Sequence, residues 1–268
     1  MDRKAVVAGH FYSNDKNTLR EDIARLTAET GAQKKKAIAA IMPHAGYVYS
    51  GVVAGKTIAE LEVPDTVVIM GPNHTGLGKP YSIVTSGVWE TPLGQTFIDE
   101  NLASLIVGNS QFIEEDESAH MYEHCIEVEI PFFQYINKNI NIVPMVINDL
   151  ILKSFKIVGE DIARAIGEFK KPVLIVASSD MTHYEPQAQA QEKDREAIDC
   201  ILELNPEKLH EVVMRRNISM CGFAPVCVAL YACKSLNAQA GNLVAYQTSG
   251  DFSGDYDSVV GYAGIIIS

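Results

Sequence analysis

Three histidines each stand a few residues beyond a short apolar run: His44 in IMPHAG, His74 in IMGPNHTG and His183 in IVASSDMTH. Imidazole is the commonest metal-binding side chain, and two or three on one rim suit iron, copper or zinc far better than magnesium or calcium. A single histidine in such a place serves equally well as a turn cap or a local hydrogen-bonding group, so the weight lies in the coincidence of three. Pro43, Gly46, Gly71, Pro72 and Gly76 surround the first two. These residues favour sharp backbone turns that present a side chain from a rigid loop.

Other groups of suitable chemistry lie at similar positions. Cys221, in SMCGFAP, precedes a segment of helical pattern whose amino end would help to stabilise a thiolate; the same residue reads equally as an inert buried thiol. Cys227 and Cys233 fall within the apolar helical run and read as packing residues. Asp180 precedes His183 by three residues. It either binds a metal, holds an imidazole in one tautomer by accepting its second N–H, or forms a turn or helix cap. The segment EHCIEVEIP predicts a helix over Glu123–Ile136 with Glu123 and Glu127 on one face. A solvated acidic face accounts for most of that pattern, whereas His124 and Glu127 gain a proton-transfer or substrate-orienting role if the helix abuts the strand edge. GxSxG, Walker A, GxGxxG and HExxH patterns do not occur, and TGLGKP after His74 lacks the Lys-Ser/Thr ending of a phosphate loop.

These residues need a frame to bring them together. Apolar runs at Ala37–Met42, Thr66–Met70, Ile83–Thr85, Ile142–Ile147, Val173–Ala177, Leu243–Tyr246 and Val259–Ile267 read as strands. They lack in-out alternation, which predicts burial on both faces: an α/β fold with a largely parallel sheet between helices. Pro144 places its strand at an edge. Helical stripes run through Leu19, Ile23 and Leu26 and through Phe155, Val158, Ile162 and Ile166, with further helices over Val52–Leu61, Gln191–Leu204, Pro206–Arg216 and Ala224–Leu236. Ligands bind such sheets at the carboxyl ends of the strands, so the three histidines are expected to converge there.

The 268 residues, 47% of them apolar, suffice for a large core, and no linker divides them, so a single domain over residues 1–268 is expected. The net charge of −12 would repel a phosphate backbone, which argues against a nucleic-acid partner. The two long uncharged stretches, Ala37–Gly55 and Asn217–Cys233, are broken by glycine and proline and read as core rather than membrane spans. Five cysteines without a CxxC pair, and no signal-peptide pattern after Met1, predict a cytoplasmic protein without disulfides.

The ordered set AGHFYSNDKNTL, PHAGYVYSG, GPNH, EHCIE, SSDMTH and CGFAP resembles the Memo family along nearly the whole chain. Two positions depart from the family's usual wording, Ser13 and Cys125, and neither falls on a ligand position. The resemblance implies a fold similar to the class III extradiol dioxygenases, enzymes that open catechol rings with non-haem Fe(II) and oxygen. It places the metal positions on His44, His74 and Cys221, with Asp180 and His183 lining the same pocket. Microbial members accompany a radical SAM protein and an AMMECR-type protein in the AmmeMemoRadiSam gene set, which makes those two the expected partners.

Extradiol sites use two histidines and one carboxylate, and here a softer, more electron-donating thiolate takes the carboxylate's place. The expectation is therefore a metal-dependent oxidoreductase holding Fe(II), with copper or zinc as alternative ions, and with His183 as proton donor or acceptor oriented by Asp180. A binding or adaptor protein that uses the same pocket for a peptide or partner is the alternative from another class. Zinc-assisted hydrolysis is a third.

Overall fold

The computed structural model describes residues 1–28 and 34–268. In chain order it runs β1 (Asp2–Arg3), α1 (Lys16–Leu26), β2 (Ala39–Met42), α2 (Tyr47–Ala59), β3 (Thr66–Pro72), β4 (Tyr81–Ile83), β5 (Val88–Thr91), β6 (Gly94–Ile98), α3 (Glu100–Asn109) and β7 (Glu114–Glu115). It continues through α4 (Ile130–Ile136), β8 (Asn141–Ile147), α5 (Leu152–Phe169), β9 (Val173–Ser178), β10 (His183–Glu185), α6 (Gln187–Leu202), α7 (Pro206–Arg216), α8 (Phe223–Ser235), β11 (Gly241–Thr248), α9 (Gly250–Ser253) and β12 (Val259–Ile267).

Helices α1, α3 and α7 begin where a side chain satisfies free N–H groups. Asp15 accepts from Asn17 and Thr18 at the start of α1, and Asp99 from Leu102 at the start of α3. Asn205 accepts from Lys208 ahead of Pro206, which occupies the first turn of α7 as its sequence position suggests. Apolar burial then decides the layers. Strands β2 and β3 are buried at every position, as continuous apolar runs require. Helices α1, α2 and α4 pack together, with α2 against β2, β11 and β12; α3, α5 and α8 form the other group, with α3 against β8 and α8 against β3 and β9.

The sheet follows the order β1-β5-β6-β8-β3-β9-β2-β12-β10, with β11 added on β12 and β4 on β8. Its centre, β6-β8-β3-β9-β2, is parallel. The pairings of β12 with β2, β10 and β11, of β5 with β6, and of β4 with β8 are antiparallel. The result is the expected α/β domain with a mixed sheet. In the register Met70 pairs with Ala177 and Met42 with Ser178, so β3, β9 and β2 release their chains at the same edge.

Two sequence expectations are overturned. The strand containing Pro144 lies inside the sheet, between β3 on one side and β6 and β4 on the other. Proline is tolerated because its nitrogen faces a seam: β6 pairs only with Asn141 and Ile142, and β4 only from Met145 onward. The Pro144 carbonyl on that side still accepts from the Val84 N–H at 3.3 Å. The helix expected from Glu123 begins only at Ile130, with Pro131 in its first turn, and residues 123–129 are a loop. Elsewhere α2 and α6 start several residues earlier than the periodicity suggested, and the β5–β6 hairpin and α3 were not foreseen.

Candidate metal centre

His44 follows β2, His74 follows β3, and Asp180 and His183 follow β9, so three adjacent parallel strands deliver them to one edge. Cys221 arrives from elsewhere, immediately before the Gly222 cap of α8. Gly222 permits that approach, since a Cβ there would collide with the Ser178 carbonyl. Gly71 does the same for the 123–129 loop, whose Cys125 sulfur occupies the space a Cβ would need.

One ligand atom from each of His44, His74 and Cys221 lies within 4.8 Å of the other two. Cys221 Sγ is 3.3 Å from His44 Nε2, against about 3.6 Å expected for sulfur and nitrogen ligands around a tetrahedral ion. Each imidazole has its other nitrogen engaged. His44 Nδ1 lies 2.8 Å from Ser178 Oγ, and His74 Nδ1 lies 2.8 Å from Glu123 Oε1. That leaves both Nε2 atoms free, the arrangement by which outer partners orient metal-binding histidines. His44 is buried and His74 exposed, so the centre is closed beneath and open to a cleft of about 630 Å³. A roomier cleft of about 810 Å³ opens at the opposite edge, where β3 and β9 begin; Lys34, Lys36, Lys171, Glu62 and Asp65 line it, without histidine or cysteine.

The charges fit a site prepared for a cation. Burial, reinforced by neighbouring His74, lowers His44 to about 3. Burial likewise brings His124 down to about 4. Burial raises the Cys221 thiol, and nearby Asp180 adds to the effect. The site without an ion is thus a neutral imidazole beside a neutral thiol; a dication would displace the thiol proton and gain a thiolate. Donor types, spacing and protonation all fit a soft or borderline transition metal.

Asp180 is placed differently from expectation. Its Oδ1 accepts the backbone N–H groups of His44 at 2.9 Å and Ala45 at 3.3 Å, while its own N–H points at Cys221 Sγ, 3.3 Å away. Burial raises its pKa despite those bonds. The tautomer of His183 is set instead by Ser219, whose carbonyl receives Nδ1 at 2.9 Å and whose hydroxyl accepts the His183 N–H at 2.7 Å. Asp180 therefore braces the His44 turn, and His183 presents its free nitrogen to the cleft. Tyr184, next in sequence, has φ of 59° and is 77% exposed, at an irregularity in the β10–β12 pairing.

The acidic loop is the main site feature missed from sequence. Glu123, Glu127 and Glu129 are 1%, 1% and 0% exposed, so they form no solvated face. Glu123 accepts from the His74 N–H at 2.6 Å and from the His124 and Cys125 N–H groups at 2.9 and 3.1 Å, besides the His74 ring. Burial alone would raise this carboxyl; the His74 bonds overcome it and bring it to about 2. His124 stacks on His74, with centroids 4.6 Å apart, and meets His44 edge-on at 5.6 Å. It joins the cleft from a loop, not from a helix. Pro131 was the available signal, because proline favours the first helical turn and so places the preceding acids outside the helix.

Comparison with known proteins agrees along the whole chain. A family model described as Memo-like protein matches residues 3–266. MEMO1 family proteins are similar throughout: that of Methanopyrus kandleri is 41% identical over 99% of both chains. The one from Aquifex aeolicus is 41% identical over 98% of both, and that of Methanosarcina barkeri 40% over 99% of both. Among solved structures, an uncharacterized Escherichia coli K12 protein shares the fold with a TM-score of 0.55 at 13% identity, covering 85% of this chain and 98% of its own.

Proposed function

Because the chain belongs to the Memo family, we propose that it is a metal-dependent oxidoreductase related in chemistry to the non-haem iron dioxygenases, with His44, His74 and Cys221 as the metal-binding residues. The observation that carries this reading is the meeting of those three donors within 4.8 Å, with His44 and His74 lining an open cleft. Fe(II) is the favoured ion, with copper and zinc the alternatives, since two imidazoles and a sulfur suit all three. Bound there, the ion would supply Lewis acidity and electron transfer.

The chain's own groups have separable tasks. Ser178 and Glu123 hold the two imidazoles with Nε2 free. Phe11, against His124 at 4.8 Å, and the buried Tyr262 wall the cleft and limit water. His124 and His183 border the cleft and move protons to or from bound substrate, with Ser219 fixing which nitrogen of His183 is available. The cytoplasmic setting and the partnership with radical SAM and AMMECR-type proteins belong to the same reading. No helix among the described residues is long and apolar enough to cross a membrane.

The test is anaerobic reconstitution with Fe(II), followed by oxygen uptake and product analysis across catechols and related enediols. Turnover that disappears in His44→Ala supports the reading; full metal occupancy without turnover on any of them counts against it. A binding or adaptor role draws on the exposed Tyr49 and Tyr184, which line the cleft, and on the exposed Phe252 packed against Tyr49. It predicts that capture of the two partner proteins survives His44→Ala and His74→Ala.

A further inference from the structure

Glu129 is wholly buried beneath the metal centre, yet it touches none of the three proposed ligands. Its Oε1 lies 3.2 Å from Ser178 Oγ, and its Oε2 has no partner among the described residues. Ser178 is itself fully buried at the end of β9 and has two further neighbours, His44 Nδ1 and the Cys125 carbonyl oxygen, both at 2.8 Å.

Hydrogen accounting at Ser178 resolves the arrangement. A hydroxyl has one proton to donate and two lone pairs. The Cys125 carbonyl can only accept and has no other donor among the described residues, so leaving it unpaired in the interior would be costly. It therefore claims the single Ser178 proton. The two lone pairs remain for His44 Nδ1–H and for the carboxyl of Glu129. Burial pushes that carboxyl well above its usual range, which keeps a proton on Glu129 and makes it a donor to Ser178. An ionised Glu129 would compete with Cys125 for the Ser178 proton and would still leave His44 facing a lone pair. The opposite tautomer, with Nδ1 bare, would require Ser178 to abandon the carbonyl.

We propose that Ser178, backed by Glu129, is a positioning pair that locks His44 as the Nδ1–H tautomer and so directs the Nε2 lone pair at the ion site beside Cys221. This inference rests on the metal reading for its purpose, although the tautomer itself exists without an ion. Outer groups of this kind change metal affinity by 10- to 100-fold when removed. Glu129 acts through Ser178 alone, so its loss has no effect once Ser178 is gone.

Long-range proton–nitrogen correlation spectra of ¹⁵N-histidine-labelled, metal-free protein test the lock directly. Wild type and Glu129→Gln are expected to show His44 with its proton on Nδ1, because the glutamine amide also donates to Ser178. Ser178→Ala is expected to show a mixture or the Nε2–H form. Fe(II) or Zn²⁺ titration should find affinity at least tenfold weaker in Ser178→Ala, several-fold weaker in Glu129→Leu, near wild type in Glu129→Gln, and no weaker in the double variant Ser178→Ala/Glu129→Leu than in Ser178→Ala. Nε2–H in the wild type overturns the proposal, as does full additivity of the two substitutions. Failure of wild-type protein to take up any ion, with the Nδ1–H signal present, instead defeats the metal reading and leaves the lock standing.

Discussion

The proposed function puts the Cys221 sulfur where the extradiol pattern has an oxygen ligand, and the consequence is measurable. A serine oxygen is harder than thiolate and far less easily deprotonated, so Cys221→Ser keeps the shape and loses the donor. The expected outcome is a metal-to-protein ratio after desalting that falls by roughly an order of magnitude or more, by analogy with the sensitivity of outer-shell partners, in protein that melts like the metal-free wild type. Unchanged retention would make Cys221 a bystander. Glu123 offers a second test at this scale. Its carboxylate accepts from one ring nitrogen and three backbone N–H groups, and Glu123→Gln replaces one of the two accepting oxygens with a donor. The variant should bind the ion about 10- to 100-fold more weakly, with His74 and His124 both released from their set orientations. Isothermal titration with Zn²⁺ measures the loss.

Among the elements, the amino-terminal arm and the 123–129 loop depend on one buried ion pair. Arg3 Nη1 lies 2.7 Å from Glu127 Oε2, with both side chains almost fully buried, and Arg3 also donates to the carbonyls of His120 and Glu123. Glu127 further accepts from Val6 N–H, Val7 N–H and the Tyr12 hydroxyl. Arg3→Met would leave a buried carboxylate short of its cation, a defect worth about 3–5 kcal/mol. Urea unfolding should show that loss, and the double variant Arg3→Met/Glu127→Gln should recover part of it. A loss below about 1 kcal/mol would mean that the arm is held by packing alone. Such a clamp was not legible in the sequence, because Glu127 looks like any acid on a helix until its long-range partner is known. The strands, by contrast, were legible from their continuous apolar runs, and the three histidines at strand ends do gather around one cleft, the candidate site. Pro144 and the 123–129 loop misled for a shared reason: each is accommodated by neighbours distant in sequence, the β6–β4 seam for one and Arg3 with the His74 turn for the other.

The stability of the whole molecule against acid brings in a residue outside the site. His120 is fully buried beside Trp89, and neither of its ring nitrogens has a hydrogen-bond partner among the described residues. Burial lowers it to about 4, with Arg3 pushing the same way and the Ser82 backbone, Asp116 and Glu123 pulling back. In the unfolded chain a histidine titrates near ~6.5. As pH falls from that value the unfolded state takes up a proton that the folded state refuses, so stability drops until about pH 4 and changes no further on this account below it. The gap of some 2.5 units corresponds to about 3 kcal/mol at about 1.36 kcal/mol per unit. His120→Phe keeps an aromatic ring against Trp89 and removes the titration, while buried His44 and half-buried His124 remain in both proteins and cancel in the comparison. Unfolding free energies measured at about pH 7.5 and about pH 4 should therefore decline less in His120→Phe than in the wild type, by about 3 kcal/mol. Equal declines would show that His120 is already charged in the fold, with Asp116 or Glu123 as its counter-charge.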